Sequence, residues 1–435
     1  MTSLILLAVI LLIVLLLIGT PVPVALGFAG LIGLCALSGE GAIVVAAKVM
    51  FDTVNDFIFL AIPLFILMGT ILGRGKIGEK LYYLFDVFLR QIPGGVGIAT
   101  ILTCAVLAAM IGTSVAIAAM AGSFALSNLM KYGYSFHLSL GITVAGGALG
   151  ILIPPSLPMI LYGAFTQEST GRLFIAGVIP GILAVILFSI YVAWEYLRSP
   201  DKQKVVAATW SERWVAFKEG IWALIIPIGV IVPLYTGLAT VTEIAALGVL
   251  WSFLIGIFIY RTIKIKDIIP ILREAINNSA IVMFIICGAI VFGNAVTQFG
   301  LGKAISGFFV SNGFSPGVFI VITVAIMLIM GCFLEGASIM MIMLPILLPA
   351  LIGYNMDLIW YAVLMVISIE VGLISPPVGL NLYAVDSVAK GLGFPSTLGA
   401  VIRGSWPFMV LYVLILTIVG FLPSLAVWLP SHMVK

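Results

Sequence analysis

The stretches that decide the fold are Gly150-Ile-Leu-Ile-Pro154-Pro155-Ser156 and Gly372-Leu-Ile-Ser-Pro376-Pro377-Val378. Each Pro-Pro pair interrupts an apolar run, and each run continues to a tyrosine, Tyr162 or Tyr383. Inside a lipid bilayer, an interrupted helix frees backbone carbonyl groups, which must then bind protein, water or an ion. Two such interruptions at corresponding places in two halves of a chain indicate a transporter binding site.

The composition around these stretches is that of a membrane protein. Of the 435 residues, 63% are hydrophobic and 9% are charged, whereas soluble domains carry about 25% charged residues. Apolar runs long enough to cross a lipid bilayer recur along the whole chain. We therefore expect an all-α polytopic membrane protein. The net charge of +3 does not indicate nucleic-acid binding, because the basic residues lie in short loops.

The sequence lacks the signatures of several other classes. It has no Gly-rich nucleotide loop with a Walker lysine, which argues against ATP-driven transport by this chain. No nucleophile–base pair or metal cluster is visible, which argues against an enzyme. The apolar run at 4–18 has no Lys or Arg before it, so we expect an uncleaved first crossing. The four cysteines lie in apolar runs without metal spacing and are predicted to be buried free thiols: Cys35, Cys104, Cys287 and Cys332.

The apolar runs divide the chain into two halves, 1–197 and 218–435, joined by a polar linker at 198–217. In the first half we expect crossings at 4–19, 23–38, 55–73 and 172–197, an amphipathic interfacial helix at 76–91, an interrupted run at 96–131 and a broken helix at 136–165. In the second half we expect crossings at 219–236, 239–260, 279–298 and 402–426, a short segment at 302–312, an interrupted run at 316–353 and a broken helix at 357–389.

Landmarks in the two halves recur at an almost constant distance. Pro154 and Pro376 are 222 residues apart, and Ser114 and Ser338 are 224 apart, which indicates an internal duplication. Suppose that the N-terminus is outside, that each half crosses five times, and that the interrupted runs re-enter without crossing. All but four of the 20 Lys and Arg residues then face the cytoplasm, as the positive-inside rule favours. Because five is odd, the two repeats must be inverted relative to each other.

Each interrupted run carries small residues where a re-entrant hairpin would turn. The first tip is Ile111-Gly112-Thr113-Ser114, and the second lies within 331–338, GCFLEGAS. Glycine permits unusual backbone dihedrals, and hydroxyl groups can satisfy exposed backbone groups inside the membrane. A small-residue face for helix packing is the alternative interpretation of either tip.

Each hairpin tip and its neighbouring break together offer a candidate sodium site. Sodium binds several oxygen ligands, which unwound carbonyls and helix ends supply without a buried carboxylate. Most of the candidate residues would contribute a backbone oxygen, and we expect two or more sodium ions. Site one comprises Ala108, Ile111, Gly112 and Ser114 of the hairpin with Gly150, Ile153 and Pro155 of the break. Site two comprises Gly331, Gly336 and Ser338 with Gly372, Ser375 and Val378.

The helices that restart after the breaks direct the positive ends of their dipoles towards the same depth, where an anionic substrate such as a carboxylate could bind. The candidate substrate residues are Ser156, Glu335 and Asn381. Acidic residues within apolar segments are functional candidates by default. Glu335 could instead hold the shape of the hairpin by bonding its backbone. Likewise, Glu370 or Asp386 could pair with Lys390 near the membrane surface.

These residues resemble the large membrane subunit of the tripartite ATP-independent periplasmic (TRAP) transporters over about 55–390. The motifs that carry the resemblance are Leu60-Ala-Ile-Pro-Leu-Phe-Ile-Leu-Met-Gly69, Gly112-Thr-Ser-Val-Ala116, Gly147-Ala-Leu-Gly-Ile-Leu-Ile-Pro-Pro-Ser156, Phe174-Ile-Ala-Gly-Val-Ile-Pro-Gly181, Leu344-Pro-Ile-Leu-Leu-Pro349 and Ile374-Ser-Pro-Pro-Val-Gly-Leu-Asn-Leu-Tyr383. Both hairpin tips depart from the family pattern. Ile111 stands where members often have a serine, so a ligand there must be the backbone oxygen, and Glu335 stands where Asp is more usual.

The resemblance implies a multi-pass protein of the bacterial inner membrane that works as an elevator transporter. A transport domain of hairpins and broken helices would move against a scaffold of the remaining crossings. Sodium would drive uptake of an organic acid, of the sialic acid or C4-dicarboxylate type, delivered by a periplasmic substrate-binding protein. A small four-helix membrane subunit would pack against the scaffold.

Two other interpretations remain at this point. A stand-alone divalent-anion/sodium symporter has a similar architecture but typically shows Ser-Asn-Thr at its tips, which neither Gly112-Thr-Ser nor Gly336-Ala-Ser matches. A membrane scaffold or assembly protein would not need two paired breaks.

Overall fold

The computed structural model describes residues 2–39, 41–199 and 206–433. All regular secondary structure in these ranges is helical. Eight of the described helical segments are long and apolar enough to cross a membrane. The expectation of an all-α polytopic membrane protein is therefore confirmed.

The first half contains eleven α-helices within the described ranges. They are α1 (Thr2–Leu17), α2 (Val22–Ser38), α3 (Gly41–Val54), α4 (Ala61–Arg74), α5 (Ile77–Leu89), α6 (Gly95–Ile111), α7 (Ser114–Lys131), α8 (Phe136–Gly147), α9 (Leu157–Thr166), α10 (Thr170–Ala176) and α11 (Val178–Arg198). A 3₁₀ turn at Phe57–Leu60 leads directly into α4.

The second half contains ten α-helices in the part of the chain that the structure describes. They are α12 (Trp210–Tyr235), α13 (Val241–Leu254), α14 (Ile265–Phe299), α15 (Leu301–Ser311), α16 (Pro316–Gly331), α17 (Gly336–Gly353), α18 (Leu358–Leu373), α19 (Leu380–Gly391), α20 (Leu398–Phe421) and α21 (Ser424–Ser431). A π-helical turn at Ile255–Ile259 extends α13.

The predicted interruptions lie where the sequence places them. The first hairpin is α6 and α7, which turn at Gly112, and the second is α16 and α17, which turn before Gly336. The Pro-Pro breaks separate α8 from α9 and α18 from α19. Gly112 ends α6 in the left-handed region, with φ of 72°, which glycine adopts without steric cost.

Four expected boundaries differ from the structure. Residues Gly41–Val54 form a helix that was not expected, and the crossing predicted at 279–298 is the end of the longer α14. Pro423 separates α20 from α21 within the crossing predicted at 402–426. Within the predicted linker, 200–205 lie outside the described residues, and α12 already begins at Trp210. A Thr209–Glu212 capping box explains this early start.

Glycine allows the main helix contacts to be close. Helix α2 packs along α14, and a Cβ atom built on Gly30 would lie 2.5 Å from the backbone nitrogen of Phe292. Helix α8 packs along α20 in the same way, because a Cβ on Gly141 would lie 2.0 Å from the carbonyl oxygen of Gly404. Small residues at helix contacts are the usual means of close approach within a bilayer.

Candidate functional site

The first hairpin tip contacts the first Pro-Pro break. A Cβ on Gly112 would lie 2.6 Å from the carbonyl oxygen of Pro155, and a Cβ on Gly150 would lie 2.7 Å from the Cα of Ser114. The backbone N–H of Leu157 also donates to the carbonyl oxygen of Gly112, at 3.4 Å. Four of the seven residues predicted for site one therefore meet at one place.

The second hairpin tip contacts the second break in a comparable way. A Cβ on Gly331 would lie 2.7 Å from the Cα of Gly372. The backbone N–H of Gly379 donates to the carbonyl oxygen of Cys332 at 2.9 Å. The thiol of Cys332 in turn donates to the carbonyl oxygen of Pro376 at 3.3 Å. The structure thus brings Gly331 and Gly372 of predicted site two together.

Protein groups satisfy two carbonyls beside the first break. The Tyr412 hydroxyl donates to the carbonyl oxygen of Ala148. The carbonyl oxygen of Gly147 accepts from the backbone N–H of Gly150 at 2.9 Å and lies 3.0 Å from Ser114 Oγ. Both hydroxyl groups are buried. These bonds show how an interrupted helix is accommodated in an apolar interior, where an unpaired carbonyl is costly.

The two hairpin–break pairs meet around one small cavity of about 80 Å³. Its walls are the starts of three helices. They are Thr113, Ser114 and Val115 at α7, Leu157 and Pro158 at α9, and Glu335, Gly336 and Ala337 at α17, with Gly112, Ile151 and Leu373 completing the lining. Three helix N-termini therefore border one space. The positive ends of their dipoles favour an anion there, and the Glu335 carboxylate in the same wall opposes one.

A buried network crosses between the two halves beside this cavity. Ser114 Oγ donates to Glu370 Oε2 at 2.9 Å, and the backbone N–H of Ile151 donates to Glu370 Oε1 at 3.3 Å. Asn381 Nδ2 donates to Ser114 Oγ at 2.7 Å. Glu370 and Asn381 are completely buried. Glu370 therefore does not pair with Lys390, whereas Asp386 does, with 2.7 Å between Asp386 Oδ2 and Lys390 Nζ.

Glu335 has a structural partner at the second tip. It is the N-cap of α17, and its Oε1 accepts from the backbone N–H of Ser338 at 3.1 Å and from its hydroxyl at 3.2 Å. Of the two roles considered for Glu335, this contact fits the one in which its carboxylate bonds the hairpin backbone rather than the substrate. Its neighbour Gly336 lies in the cavity wall, where a Cβ would lie 3.3 Å from Ile151 Cδ1 and 3.4 Å from Pro158 Cγ.

Other predicted residues lie near the breaks but bond elsewhere. The Ser375 hydroxyl, just after α18, donates to the carbonyl oxygen of Val371 in its last turn at 2.5 Å. Ile153 packs on α11, because a Cβ on Gly181 would lie 2.7 Å from Ile153 Cγ1. Val378 is half-buried within the second break. Ala108 and Ile111 are buried in the last turn of α6.

Ser156, a predicted substrate residue, is completely buried where α9 begins, and its hydroxyl has no hydrogen-bond partner. The sequence did not indicate that Gly147 contacts Ser114, that Ile151 contacts Glu370, or that Tyr412 bonds the carbonyl oxygen of Ala148. Their positions in apolar runs gave no signal, since two of them act through the backbone. Glu370 was noticed as an intramembrane acid, but its partner Ser114 is 256 residues away.

Paired hairpins and broken helices around a small cavity, within a bundle of membrane-spanning helices, are typical of a multi-pass membrane transporter. The chain belongs to the DctM family: the family described as "Tripartite ATP-independent periplasmic transporter, DctM component" matches residues 9–425. It is therefore a large permease subunit of a TRAP transporter, a multi-pass protein of the bacterial inner membrane and not an enzyme.

Curated relatives carry more than one substrate name. The chain is 33% identical to the C4-dicarboxylate TRAP transporter large permease protein DctM of Pseudomonas aeruginosa, with 94% of each chain covered. It is 32% identical to the protein of the same name in Rhodobacter capsulatus, with 97% of each covered. It is 27% identical to the sialic acid TRAP transporter large permease protein SiaM of Vibrio cholerae, with 95% of each covered.

Two solved transporter structures share the fold at low sequence identity. The YdaH transporter of Alcanivorax borkumensis aligns with a TM-score of 0.65 at 13% identity, covering 88% of this chain and 89% of that one. MtrF of Neisseria gonorrhoeae aligns with a TM-score of 0.65 at 12% identity, covering 89% of this chain and 85% of that one. These similarities concern the fold alone.

Proposed function

We propose that this chain is the translocating subunit of a sodium-coupled symporter that imports an organic acid. The substrate is of the C4-dicarboxylate or sialic acid type, the classes that the names of its relatives carry. A periplasmic substrate-binding protein delivers the acid, and a small four-helix membrane subunit completes the transporter. Membership of the DctM family supports both partners, because the family is one component of a tripartite system.

The observation that carries the proposal is the cavity walled by the N-termini of α7, α9 and α17. The positive dipole ends of these helices attract a carboxylate without requiring a buried Lys or Arg. At about 80 Å³ the cavity is much smaller than the 300–1,000 Å³ typical of ligand pockets. A substrate therefore enters only when a hairpin moves, which is consistent with an elevator or gating step.

Sodium is the proposed coupling ion, with two or more ions bound beside the substrate. At site one, the oxygen-bearing groups that meet are Ser114 Oγ and the carbonyls of Gly112, Gly147 and Pro155. At site two, the carbonyls of Cys332 and Pro376 lie at the junction of hairpin and break. Oxygen donors of this kind suit a hard cation, and a bound cation next to the cavity would favour entry of an anion.

We also propose that the two halves are inverted repeats, as the basic residues of the loops support. Both halves contain a helical hairpin followed by a broken helix. In the elevator model, these four elements form the transport domain. The scaffold then includes α2 and α14, which pack along each other, and α12 and α13.

The test is reconstitution of this chain with its small subunit in liposomes, with the binding protein and labelled substrate outside. An inward sodium gradient is expected to drive uptake, and uptake should require the binding protein. If uptake is unchanged when potassium replaces sodium, the coupling proposal is wrong. If uptake proceeds equally well without the binding protein, the chain works as a stand-alone symporter.

A further inference from the structure

Glu370 is a buried acid that forms no ion pair within the described ranges. It is 0% exposed on α18, and the ion pairs of the described residues all lie elsewhere. Its oxygens accept bonds only from neutral groups, Ser114 Oγ and the Ile151 N–H. An ionised carboxylate in such a place is costly unless a positive charge balances it.

A second buried oxygen beside it also lacks a partner. Asn381 Oδ1 is buried without a hydrogen bond, while Asn381 Nδ2 donates to Ser114 Oγ. The same hydroxyl oxygen lies 2.9 Å from Glu370 Oε2 and 3.0 Å from the Gly147 carbonyl oxygen. Three oxygen-bearing groups, those of Glu370, Asn381 and Gly147, are therefore gathered around the Ser114 hydroxyl. A buried polar atom without a partner calls for an explanation, and a bound ion is one.

We propose that Glu370, Asn381 and Ser114 form a sodium site in which Glu370 supplies the single formal negative charge. This inference rests on the proposed sodium coupling and deepens it, because it gives site one a charged ligand from the opposite half of the chain. It also assigns Asn381 to the cation rather than to the substrate.

The chemistry favours a monovalent cation. The ligands are a carboxylate, an amide oxygen, a hydroxyl and backbone carbonyls, which are hard donors that suit alkali and alkaline-earth ions. One carboxylate balances one positive charge. The described residues contain no group of three or more His, Cys, Asp or Glu side chains that could hold a metal ion, so this site has the charge for sodium rather than for a divalent ion.

The site would link the two halves of the chain. Ser114 lies at the first hairpin tip, and Glu370 and Asn381 lie on either side of the second break. A bound cation would hold the hairpin against the broken crossing of the other half. Its release would leave the Glu370 charge unbalanced and weaken this contact, so that ion occupancy and hairpin position become coupled.

The test is sodium binding, without substrate, to the purified complex of this chain and its small subunit, measured with radioactive sodium. Glu370→Gln keeps the shape of the side chain and removes its charge. We expect its sodium dissociation constant to rise about tenfold or more, which corresponds to at least about 1.4 kcal/mol. Asp386→Asn is the control, because its carboxylate bonds Lys390 and Ser396 instead, and its sodium binding should be unchanged.

A gain-of-function variant covers the case in which Glu370→Gln does not fold. Asn381→Asp places a second carboxylate at the same oxygen and is expected to bind calcium, which the unaltered protein should not bind. If folded Glu370→Gln binds sodium as tightly as the unaltered protein does, the proposed sodium site is wrong. It is also wrong if Asn381→Asp gains no affinity for calcium. If the unaltered protein itself binds no sodium, the proposed coupling fails and this inference with it.

Discussion

Gly331 of the second hairpin and Gly372 of the second broken helix lie backbone against backbone. A Cβ atom on Gly372 would lie 2.6 Å from the Cα of Gly331, far inside the 3.5–4.0 Å at which carbon atoms pack favourably. Gly150 stands in the same relation to Ser114 in the first half. Each hairpin is thus fitted to its break through a position that admits no side chain.

We therefore expect Gly150→Val and Gly372→Val to abolish sodium-driven uptake while insertion into the membrane continues. Overpacking at a tight contact costs about 1–3 kcal/mol or more, which alone corresponds to about a fivefold to more than a hundredfold change. Uptake in liposomes measures the effect, and the amount of protein in the membrane fraction measures insertion. Gly420→Val is the control, since a Cβ there would meet nothing within 4 Å. Full uptake by both Gly150→Val and Gly372→Val would contradict the two proposed sodium sites.

The hydroxyl of Ser114 is the centre of the buried network, so its removal should weaken sodium binding. Ser114→Ala leaves Glu370 and Asn381 without their shared partner. A hydrogen bond to a charged group is worth about 1.5–3 kcal/mol, so we expect half-saturation by sodium to rise about tenfold or more. Ser123→Ala on the same helix removes an exposed hydroxyl and should leave the sodium dependence unchanged. Equal behaviour of the two variants would exclude a role for Ser114 in sodium binding.

Asp86 predicts a pH effect on stability outside the spanning helices. It lies on α5, which is not a candidate span. Burial raises the pKa of Asp86 from 3.8 to about 6; Glu212 adds to this increase, whereas Arg90 and Lys131 oppose it. Because the folded state binds the proton more tightly, stability falls as the pH rises from about 4 to about 6 and then levels off.

Asp86→Asn removes this dependence. At pH 7 the variant should be more stable than the unaltered protein by about 1–2 kcal/mol, after allowing for the lost attraction to Arg90. The difference should shrink towards pH 4.5. Thermal unfolding in detergent across this range measures it, and a difference that does not vary with pH would contradict the shifted pKa.

The ion pair between Arg90 and Glu212 attaches the end of α5 to the start of α12, with 2.7 Å between Arg90 Nη2 and Glu212 Oε1. The Arg90 side chain is only 14% exposed, so Arg90→Met should destabilise the protein by about 1–3 kcal/mol. Lys76→Met is the matched control. Its 3.8 Å pair with Glu79 is more than half exposed and should cost no more than about 0.5 kcal/mol. Equal unfolding temperatures of the two variants would refute this difference.

The sequence predicted the breaks and the hairpin tips well, because proline and glycine act locally. The consecutive prolines at 154–155 and 376–377 remove two adjacent backbone donors and so interrupt a helix, and Gly112 ends one in a conformation that favours glycine. The position of each break was therefore readable from a few adjacent residues.

Other elements depended on patterns that were present but not recognised. The extension of α14 before residue 279 shows exposed apolar residues at helical spacing, Ile265, Ile269, Leu272 and Ile276. Its first part also carries charged residues, and only the apolar part at 279–298 was predicted. Helix α3 was not predicted either, and Lys48 and Asp52 lie in its otherwise apolar run.

The partners of Glu370 could not be predicted from spacing at all. They lie 219 and 256 residues away, on another hairpin and another break. Only the packing of the two halves brings them together. Sequence reasoning therefore identified the acid as unusual but could not identify what it touches.

The 35 residues of α14 form one continuous helix, which at 1.5 Å per residue is about 52 Å long, whereas the hydrocarbon core of a bilayer is about 30 Å thick. The helix must tilt or project, and hydrophobic mismatch sets how far. One end is ion-paired through Glu274 to Arg74. Nearer the other end, Gly293 lies against Pro345 of the second hairpin. We therefore expect a thinner or thicker bilayer to change the tilt of this helix and, through the contact of Gly293 with Pro345, the position of the second hairpin.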